Sequence, residues 1–387
     1  MRRLQRMNPD SLRNLLTSWA NINSGSDHFA GLERMRAALA VEFATLRDAT
    51  VEHVTLAASP AKALRVTLRP NFPTLLLLSG HYDTVYGATN PFQTCTLLDE
   101  RTLRGPGVAD MKGGLVVMLA ALREFEQSPH AAQLGFEILL TPDEEIGSAA
   151  SRPALEAAAR SKQFAFALVF EPARANGNIV KSRNGTGIFT VTVHGRAAHA
   201  GRDPENGRNA ILALAEILPR IDALGRELPG VMLNIGAIRG GGTVNIVPDL
   251  ASADLNVRIT RAGDEAAFLA ELDKILAMLG TRDGYRAERT GQFNRGPKVE
   301  TPFEEQLFAA WQQCGREFGV ELSWQHVAGG SDGNLLSAAG LDNLDGLGPI
   351  GDRLHSPEEF VHLPSLVVRA QIAARFFEKV ASGNLTP

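Results

Sequence analysis

The sequence predicts an α/β domain with a mostly parallel central sheet, interrupted by a smaller α+β domain. Apolar strand-like segments alternate with helical segments over the first 170 residues, which is typical of parallel strands joined by helices. Residues 187–295 instead have the order strand, helix, two strands, helix, strand, as in ferredoxin-like domains. A length of 387 residues also favours two domains. We expect one domain at 1–184 and 298–387, and an inserted domain at 185–297.

The elements of the first domain follow from its apolar pattern. Two helices are predicted within residues 10–47, separated by a polar break at 21–27. Strands are predicted around 66–68 and at 74–78, 134–140 and 164–170, and helices at 113–125 and 148–160. The strand at 74–78 is a continuous apolar run, which indicates burial on both faces of a sheet.

The inserted domain has a different pattern. Strands are predicted at 188–194, 231–238, 253–260 and 285–290, and helices at 208–220 and 264–278. The strand at 253–260 alternates apolar residues with Asp254, Asn256 and Arg258, so one of its faces is polar. After this domain, residues 300–387 return to helices and short strands.

Composition excludes several kinds of partner. The net charge is −4 and no basic stripe is present, so we do not expect nucleic acid to bind. The densest apolar run, at 74–78, is too short to cross a bilayer, and no apolar segment follows the basic start as in a signal peptide. Cys95 and Cys314 have no metal-binding or redox spacing. We therefore expect a cytoplasmic protein with no membrane partner.

Five residues of metal-ligand type stand in separate segments marked by glycine or proline. They are His81, Asp110, Glu145, Glu171 and His355. Three of them follow predicted strands, and sites in open α/β sheets form at the carboxyl ends of strands. Two imidazoles and three carboxylates suit two divalent ions that share a bridging carboxylate and a water molecule.

Other polar residues suit the chemistry of such a site. Asp83 lies two positions after His81, so in an extended backbone it can accept a hydrogen bond from the second ring nitrogen. Glu144 stands beside a predicted ligand and can act as a general base. His199 lies among small residues and can donate to an oxyanion. Arg258 can bind a carboxylate through two hydrogen bonds.

Each of these residues also has a plainer interpretation. His81, His199 and His355 can be ordinary loop histidines, and the acidic triplet 143–145 can be a solvated face. Arg258 can form a surface salt bridge with Asp254. The glycine-rich segment 105–114 can cradle a phosphate, but it lacks the third glycine of a dinucleotide fingerprint and the lysine of a P-loop.

The order of the motifs resembles the M20 family of co-catalytic zinc metallopeptidases and amidohydrolases. The motifs are SGHYDTV (79–85), GPGVADMKGG (105–114), TPDEEIGS (141–148), FEP (170–172), GRAAHAG (195–201), GTVNIVPD (242–249) and GGSD (329–332). The resemblance extends from about residue 10 to the C-terminus. Within the family the motifs HYDTVY (81–86) and FEP are most similar to those of glutamate carboxypeptidases.

The resemblance implies a zinc-exopeptidase-like domain with an inserted lid and dimerisation domain. It implies two Zn²⁺ ions per subunit, with Co²⁺ or Mn²⁺ as alternatives. Asp110 is implied to bridge the ions, His81 and Glu171 to complete one site, and Glu145 and His355 to complete the other. A cis peptide bond is implied between Asp110 and Met111.

The resemblance also implies roles around the ions. Asp83 would orient His81, and Glu144 would transfer a proton from water to the leaving nitrogen. His199 would stabilise the oxyanion in the partner subunit of a homodimer. Arg258 and Asn245 would contact the terminal carboxylate and the backbone of the substrate.

The expected function is hydrolysis of an amide next to a free carboxylate, with a small peptide or N-acyl amino acid as substrate. Release of a C-terminal glutamate-like residue is favoured. Hydrolysis of N-acetyl-ornithine, N-succinyl-diaminopimelate or an N-carbamoyl amino acid is the alternative. A non-catalytic binding protein that kept the fold is disfavoured, because no implied ligand or base is missing. A nucleotide-binding protein would depend on the glycine-rich loops alone.

Overall fold

A computed structural model describes residues 7–161 and 163–383 of the chain. These residues divide into two compact units. The first unit lies within Met1–Ser182, Glu300–Val327 and Ser331–Pro387, and the second consists of Arg183–Val299 and Ala328–Gly330. The prediction that no signal peptide is present depends partly on residues 1–6, which lie outside the described residues.

The described residues form nine α-helices, three short 3₁₀ helices and sixteen strands, of which the α-helices and strands are numbered along the chain. The helices are α1 (Pro9–Ala20), α2 (Phe29–Phe43), α3 (Lys112–Phe125), α4 (Arg152–Arg160), α5 (Ala210–Glu227), α6 (Asp264–Gly280), α7 (Pro302–Glu317), α8 (Asp332–Ala338) and α9 (Leu363–Ala381). The strands are β1 (Ala49–Thr55), β2 (Lys62–Leu68), β3 (Leu75–His81), β4 (Thr96–Asp99), β5 (Thr102–Arg104), β6 (Gly135–Thr141), β7 (Ala167–Val169), β8 (Ile179–Arg183), β9 (Gly185–His194), β10 (Val231–Gly240), β11 (Leu250–Ile259), β12 (Arg286–Arg295), β13 (Trp324–Val327), β14 (Asn343–Asp345), β15 (Gly351–Asp352) and β16 (Phe360–His362). Within the described ranges, no helix has both the length and the apolar character needed to cross a bilayer.

The main sheet of the first unit has eight strands in the order β1-β2-β6-β3-β7-β14-β8-β13. Strands β6, β3, β7 and β14 pair in parallel, whereas β1 with β2, β2 with β6 and β14 with β8 pair antiparallel. The prediction of a mostly parallel sheet is therefore correct for the centre and wrong for the flanks. One reason is the short connection 56–61 between β1 and β2, because a connection of this length joins antiparallel neighbours.

The burial of strand β3 explains its run of four leucines at 75–78. Every residue of β3 is buried. Leu76 and Leu78 belong to the core that α1, α2, α3 and α9 form on one face of the sheet. Leu75 and Leu77 belong to the core that contains α4 and α8 on the other face. Because successive side chains point to opposite faces, the part of a strand that lies between two helical layers favours apolar residues at consecutive positions.

The central strands deliver three predicted ligands to one edge of the sheet. His81 is the last residue of β3, Glu145 lies in a short 3₁₀ helix after β6, and Glu171 comes two residues after β7. These three strands are parallel neighbours, so their carboxyl ends meet at the same edge. The placement of these residues at strand ends is as predicted.

A small sheet that was not predicted positions the other two predicted ligands. It has the order β15-β16-β5-β4. Strand β5 leads directly into the loop that carries Asp110, and His355 lies in the loop between β15 and β16. Because β16 pairs with β5, the strand that follows the His355 loop is the neighbour of the strand that precedes the Asp110 loop. The strands are only two to four residues long, too short to give a recognisable period in the sequence.

The second unit has one antiparallel sheet and two helices. Its strands have the order β10-β11-β9-β12, and the chain order is strand, helix, two strands, helix, strand. This is the ferredoxin-like arrangement. Alternate residues of β9 and β11 point into a core with α5 and α6, and the alternation places Arg258 on the opposite face.

Candidate active site

Asp110 lies at the centre of the five predicted ligands. Its Oδ1 atom is 3.2 Å from Nε2 of His81, and its Oδ2 atom is 3.3 Å from Nε2 of His355. Nε2 of His81 is 3.6 Å from Oε1 of Glu171, whereas Nε2 of His355 is 3.0 Å from Oε2 of Glu145. Each oxygen of Asp110 therefore faces a different pair of one imidazole and one glutamate.

This donor set fits two divalent cations. Ligand atoms of His81, Asp110 and Glu145 lie within 4.8 Å of one another, and so do those of His81, Glu144 and Glu171. Imidazole nitrogens and carboxylate oxygens are ligands that Zn²⁺ accepts. A carboxylate with one oxygen toward each histidine is suited to bridging two ions.

The electrostatics of the cluster favour cations. Hydrogen bonds to Asp110 and Glu145 raise the pKa of His355 to about 11. Burial and the charge of Asp110 raise the pKa of Glu145 to about 8. Burial opposes ionisation of Asp110, but hydrogen bonds from both histidines outweigh burial and lower the pKa of this carboxyl. Carboxylates outnumber imidazoles here, so divalent ions would relieve the repulsion between carboxylates.

The two histidines differ in their access to solvent. The side chain of His81 is 1% exposed, and that of His355 is 55% exposed. His355 also has a positive φ of 61°, which is uncommon for a residue other than glycine. Solvent therefore reaches the His355 ring, which lies at the edge of the half of the cluster formed by His355 and Glu145.

Asp83 holds the site together, in addition to contacting His81 as predicted. Its Oδ1 atom is 3.2 Å from Nδ1 of His81. The same carboxylate accepts the backbone N–H of Glu144 and of Glu145, each at 3.1 Å, and the hydroxyl of Ser26 at 2.7 Å. Asp83 is fully buried. It thus fixes one ligand ring and the backbone of two further site residues.

The acidic triplet is not a solvated face. Asp143 and Glu144 are buried, and the side chain of Glu145 is 5% exposed. Asp143 accepts the backbone N–H groups of Ala150 and Ser151, so it stabilises the local turn. Glu144 and Glu145 instead each lie in a group of residues that could hold a metal ion. The triplet therefore divides into one structural residue and two site residues.

Glu359 is a site residue that the sequence analysis did not identify. Its carboxylate accepts the backbone N–H groups of Gly107, Ala109 and Asp110 at 3.1, 2.9 and 3.1 Å, and the Tyr86 hydroxyl at 2.8 Å. The residue is 1% exposed, and burial raises its pKa to about 7. The feature of the sequence that points to Glu359 is its position four residues after His355. Its hydrogen-bond partners lie about 250 positions earlier in the chain, so they form no local pattern with it.

The polar break at 21–27 also supports the site. Lys112 is fully buried, and its Nζ atom donates to the backbone oxygen of Ile22 at 2.8 Å. Ser26 in the same segment donates to Asp83. The segment predicted as a simple loop therefore forms hydrogen bonds with two segments of the site, those that carry Lys112 and Asp83.

The segment 105–114 has the backbone features expected of a closely packed loop. The peptide bond between Asp110 and Met111 is cis, as the resemblance implies. A Cβ atom on Gly113 would lie 2.3 Å from the Val108 oxygen, and one on Gly114 would lie 1.9 Å from the Phe170 oxygen. The double glycine therefore permits contact between backbones, and no phosphate needs to be invoked for it.

In the second unit, His199 and Asn245 lie on neighbouring segments. The backbone N–H of Ala200 donates to the Asn245 oxygen at 2.9 Å. The exposed His199 ring accepts the backbone N–H of Gly201 at Nδ1, at 3.1 Å. The neutral ring therefore carries its proton on Nε2, which leaves an N–H group available as a donor.

Arg258 lines a cleft of about 360 Å³ together with Met232, Asn234 and Asn256. Its Nε atom donates to Oδ1 of Asn256 at 3.2 Å. The alternative of a salt bridge to Asp254 is wrong, because Asp254 pairs with Arg239 and accepts from Thr190. Arg258 has no carboxylate partner among the described residues.

Comparisons with known proteins agree with the motif order. The model of the family described as peptidase family M20/M25/M40 matches residues 77–379. Carboxypeptidase G2 of Pseudomonas sp. strain RS-16 is 28% identical over 319 residues, covering 80% of this chain and 74% of the relative. A succinyl-diaminopimelate desuccinylase of Nitrosococcus oceani is 28% identical over 326 residues, covering 79% and 84%.

The fold is that of solved peptidase structures. The crystal structure of aminopeptidase PepT from Bacillus cereus matches with a TM-score of 0.81 at 21% identity. The match covers 97% of this chain and 100% of that chain. At this identity the likeness describes the fold alone, and conclusions about chemistry depend on the residues of the site.

Proposed function

The chain belongs to peptidase family M20/M25/M40, and on this premise we propose that it is a di-zinc hydrolase that cleaves an amide or peptide bond next to a free carboxylate. The observation that carries the proposal is the position of Asp110, whose two oxygens face two separate histidine–glutamate pairs. In this proposal His81 and Glu171 would hold one ion, Glu145 and His355 would hold the other, and Asp110 would be shared between them. Co²⁺ or Mn²⁺ would suit the same ligands.

When bound, the two ions would lower the pKa of a water molecule and polarise the substrate carbonyl. Glu144 would accept the proton of the attacking water at its carboxylate and deliver it to the amide nitrogen as the bond breaks. Its backbone is held by Asp83, and its side chain lies with the ligand cluster. A base held in one position needs no reorganisation during the reaction.

Residues of the second unit would recognise the substrate. Nε2 of His199 would donate to the oxyanion that forms at the carbonyl, because the backbone contact at Nδ1 leaves that N–H available. Arg258, whose guanidinium has no carboxylate partner among the described residues, would bind the terminal carboxylate, and Asn245 would contact the substrate backbone. The similarity to carboxypeptidase G2 supports release of a C-terminal glutamate-like residue.

A second candidate function would use the same metal ions on a substrate with a different acyl group. The chain is 28% identical both to a succinyl-diaminopimelate desuccinylase and to carboxypeptidase G2. The alternative reaction is therefore hydrolysis of an N-acyl or N-carbamoyl amino acid. It would use the same cluster and the same proton transfer by Glu144.

A substrate panel tests both candidates. The zinc-loaded protein is assayed with C-terminal glutamate peptides and with N-acetyl-ornithine, N-succinyl-diaminopimelate and N-carbamoyl amino acids, with and without a chelator. We expect glutamate peptides to have the highest kcat/KM, and the chelator to abolish turnover. Turnover of the N-acyl compounds alone selects the second candidate. Turnover that survives complete metal removal contradicts both.

The second unit is proposed to act as a lid and as a dimerisation domain. Strand β10 is at the edge of its sheet, and Met232 and Ile238 on it are 54% and 61% exposed. Leu212 at the start of α5 is 66% exposed. An exposed edge strand with apolar side chains can pair with a second copy of itself. Light scattering measures the mass directly, and a fully active monomer would contradict both the dimer and a role for His199 across subunits.

A further inference from the structure

A cleft of about 430 Å³ in the first unit is lined by charged groups that the proposed reaction does not use. We call it the α9 cleft, because the first two turns of α9 form one wall. Other walls come from the turn at 175–177, from residues 320–321 and from Arg101 between β4 and β5. The volume is in the range of small-molecule sites.

Arg369 is a buried cation without a counter-charge. The residue lines the cleft and is 2% exposed. Its Nη2 atom donates to the backbone oxygen of Gly177, while its Nη1 atom has no hydrogen-bond partner. Across residues 7–161 and 163–383 it forms no ion pair. Burial lowers the pKa of the guanidinium to about 10, so it remains charged at neutral pH. A buried charge without a partner is costly, so an anion at this place would be stabilising.

The N-terminus of α9 adds a second positive feature. This helix of 19 residues begins after His362, and no side chain caps it. Its first turn contains no acidic residue. Ser365 does not act as a cap, because its hydroxyl donates to the His362 oxygen and accepts the N–H of Ile350. The N–H groups of His362 and Leu363 donate to the oxygens of Ile350 and Arg101, and Pro364 has no N–H. The helix would therefore favour an anion mainly through its dipole.

The remaining lining residues agree with an anionic ligand that has an apolar part. The exposed Arg101 side chain forms no ion pair with any described residue, and its backbone oxygen accepts the N–H of Leu363. Glu321 is the acidic residue of the lining, but its side chain is 79% exposed and pairs with Arg316 at 3.3 Å. Val320, Ile350 and Val368 supply an apolar wall.

We propose that the α9 cleft binds a small organic oxyanion, a carboxylate or a phosphate ester, separately from the metal cluster. The charged group would lie toward Arg101 and the N-terminus of α9 and would compensate Arg369. The apolar part would pack on the wall formed by Val320, Ile350 and Val368. The proposal is independent of the hydrolytic function, because none of these residues belongs to the ligand cluster.

The test is binding of four probes to the zinc-loaded protein by titration calorimetry, at ionic strength matched with NaCl. The probes are acetate, benzoate, inorganic phosphate and phenyl phosphate. Because such anions also bind metals, the readout is the difference between the wild type and Arg369→Met. Loss of a charge-assisted contact is expected to weaken binding about tenfold. Arg101→Met should weaken it as well, whereas Arg160→Met, at an exposed ion pair with Glu156, should not.

The four probes distinguish a carboxylate ligand from a phosphate ester. Tighter binding of benzoate than of phenyl phosphate assigns a carboxylate ligand, and the reverse assigns a phosphate ester. The apolar wall predicts that both bind more tightly than acetate and inorganic phosphate. Equal affinities of the wild type and Arg369→Met for all four probes would overturn the proposal. If Arg369→Met does not fold, Arg101→Met decides by the same comparison.

Discussion

The Glu359 carboxylate accepts the backbone N–H of Asp110 at 3.1 Å. It also accepts the N–H groups of Gly107 and Ala109 from the same loop. Because Glu359 belongs to the segment that carries His355, one buried side chain joins the loops of two proposed ligands. Glu359 is therefore a positioning residue: it acts through the backbone that places the bridging carboxylate.

Replacement of Glu359 should weaken metal binding and stability together. Glu359→Ala leaves the N–H groups of Gly107, Ala109 and Asp110 without this acceptor, at a cost of about 1–3 kcal/mol for each group that stays buried and unpaired. The Tyr86 hydroxyl keeps the Ser356 oxygen as an acceptor at 2.8 Å. We expect metal affinity to fall about 10–100-fold, as for other residues that orient ligands. Competition with a chromophoric chelator measures affinity, and calorimetry measures the free energy of unfolding.

The neighbouring acid provides a matched control. Glu358 is exposed and pairs with Arg353, so Glu358→Gln should keep wild-type affinity and stability. Glu359→Gln keeps one oxygen acceptor and should be intermediate. Wild-type metal affinity in both Glu359 variants would show that the loop places Asp110 without this carboxylate.

Glu144→Gln tests the proton transfer. The amide cannot accept a proton from water, so kcat should fall by about 10²–10⁴-fold, the usual contribution of a positioned base. Metal content should be unchanged, because the proposed ligands remain. Glu156→Gln, on the surface of α4, is the control for loss of a carboxylate. Rapid turnover by Glu144→Gln with both metals bound would show that another group moves the proton.

The exposure of the two histidines predicts how the metals leave. The ring of His355 is 55% exposed and that of His81 is 1% exposed, so a chelator should remove the ion held by His355 and Glu145 first. Metal release followed by absorbance should therefore show two phases. His355→Ala should eliminate the fast phase and bind about one ion, whereas His81→Ala should lose the slow phase. A single phase for two ions in the wild type would contradict this order.

Helices α1–α6 and strands β2, β3, β6, β7 and β9–β12 could be predicted from periodicity, because long buried elements have strong patterns. Strands β1 and β8 were not predicted. The residues His81, Glu145 and Glu171 were also predictable, since each follows a central strand. The small sheet of β4, β5, β15 and β16 was not predictable, because strands of two to four residues have no readable period. Glu359, Lys112 and Ser26 were missed for a different reason. Their partners are distant in sequence, and a single sequence does not indicate which buried polar residues meet.

Arg258→Met tests recognition of the terminal carboxylate. Because Arg258 has no acidic partner among the described residues and lines a cleft, the substrate carboxylate is its expected partner. Loss of a charge-assisted contact is expected to raise KM about tenfold or more for a substrate with a free carboxylate. An amidated substrate should show little change. Arg239→Met, which removes an exposed arginine of the same sheet, should leave both KM values unchanged.

Gly114→Ala should destabilise the protein although the change favours helix formation. Alanine in place of glycine within a helix normally stabilises it by about 1 kcal/mol. Here the new Cβ atom would lie 1.9 Å from the Phe170 oxygen, so α3 must move away from the end of β7. Overpacking of this kind costs about 1–3 kcal/mol or more, so the clash outweighs the propensity. Because Phe170 precedes Glu171, metal affinity should fall as well.

The control is Gly280→Ala at the end of α6, where no atom lies within 4 Å of the new Cβ and a small gain in stability is expected. Equal stability of Gly114→Ala and Gly280→Ala would show that α3 can shift at no cost. Close packing of α3 would then not determine the position of Glu171.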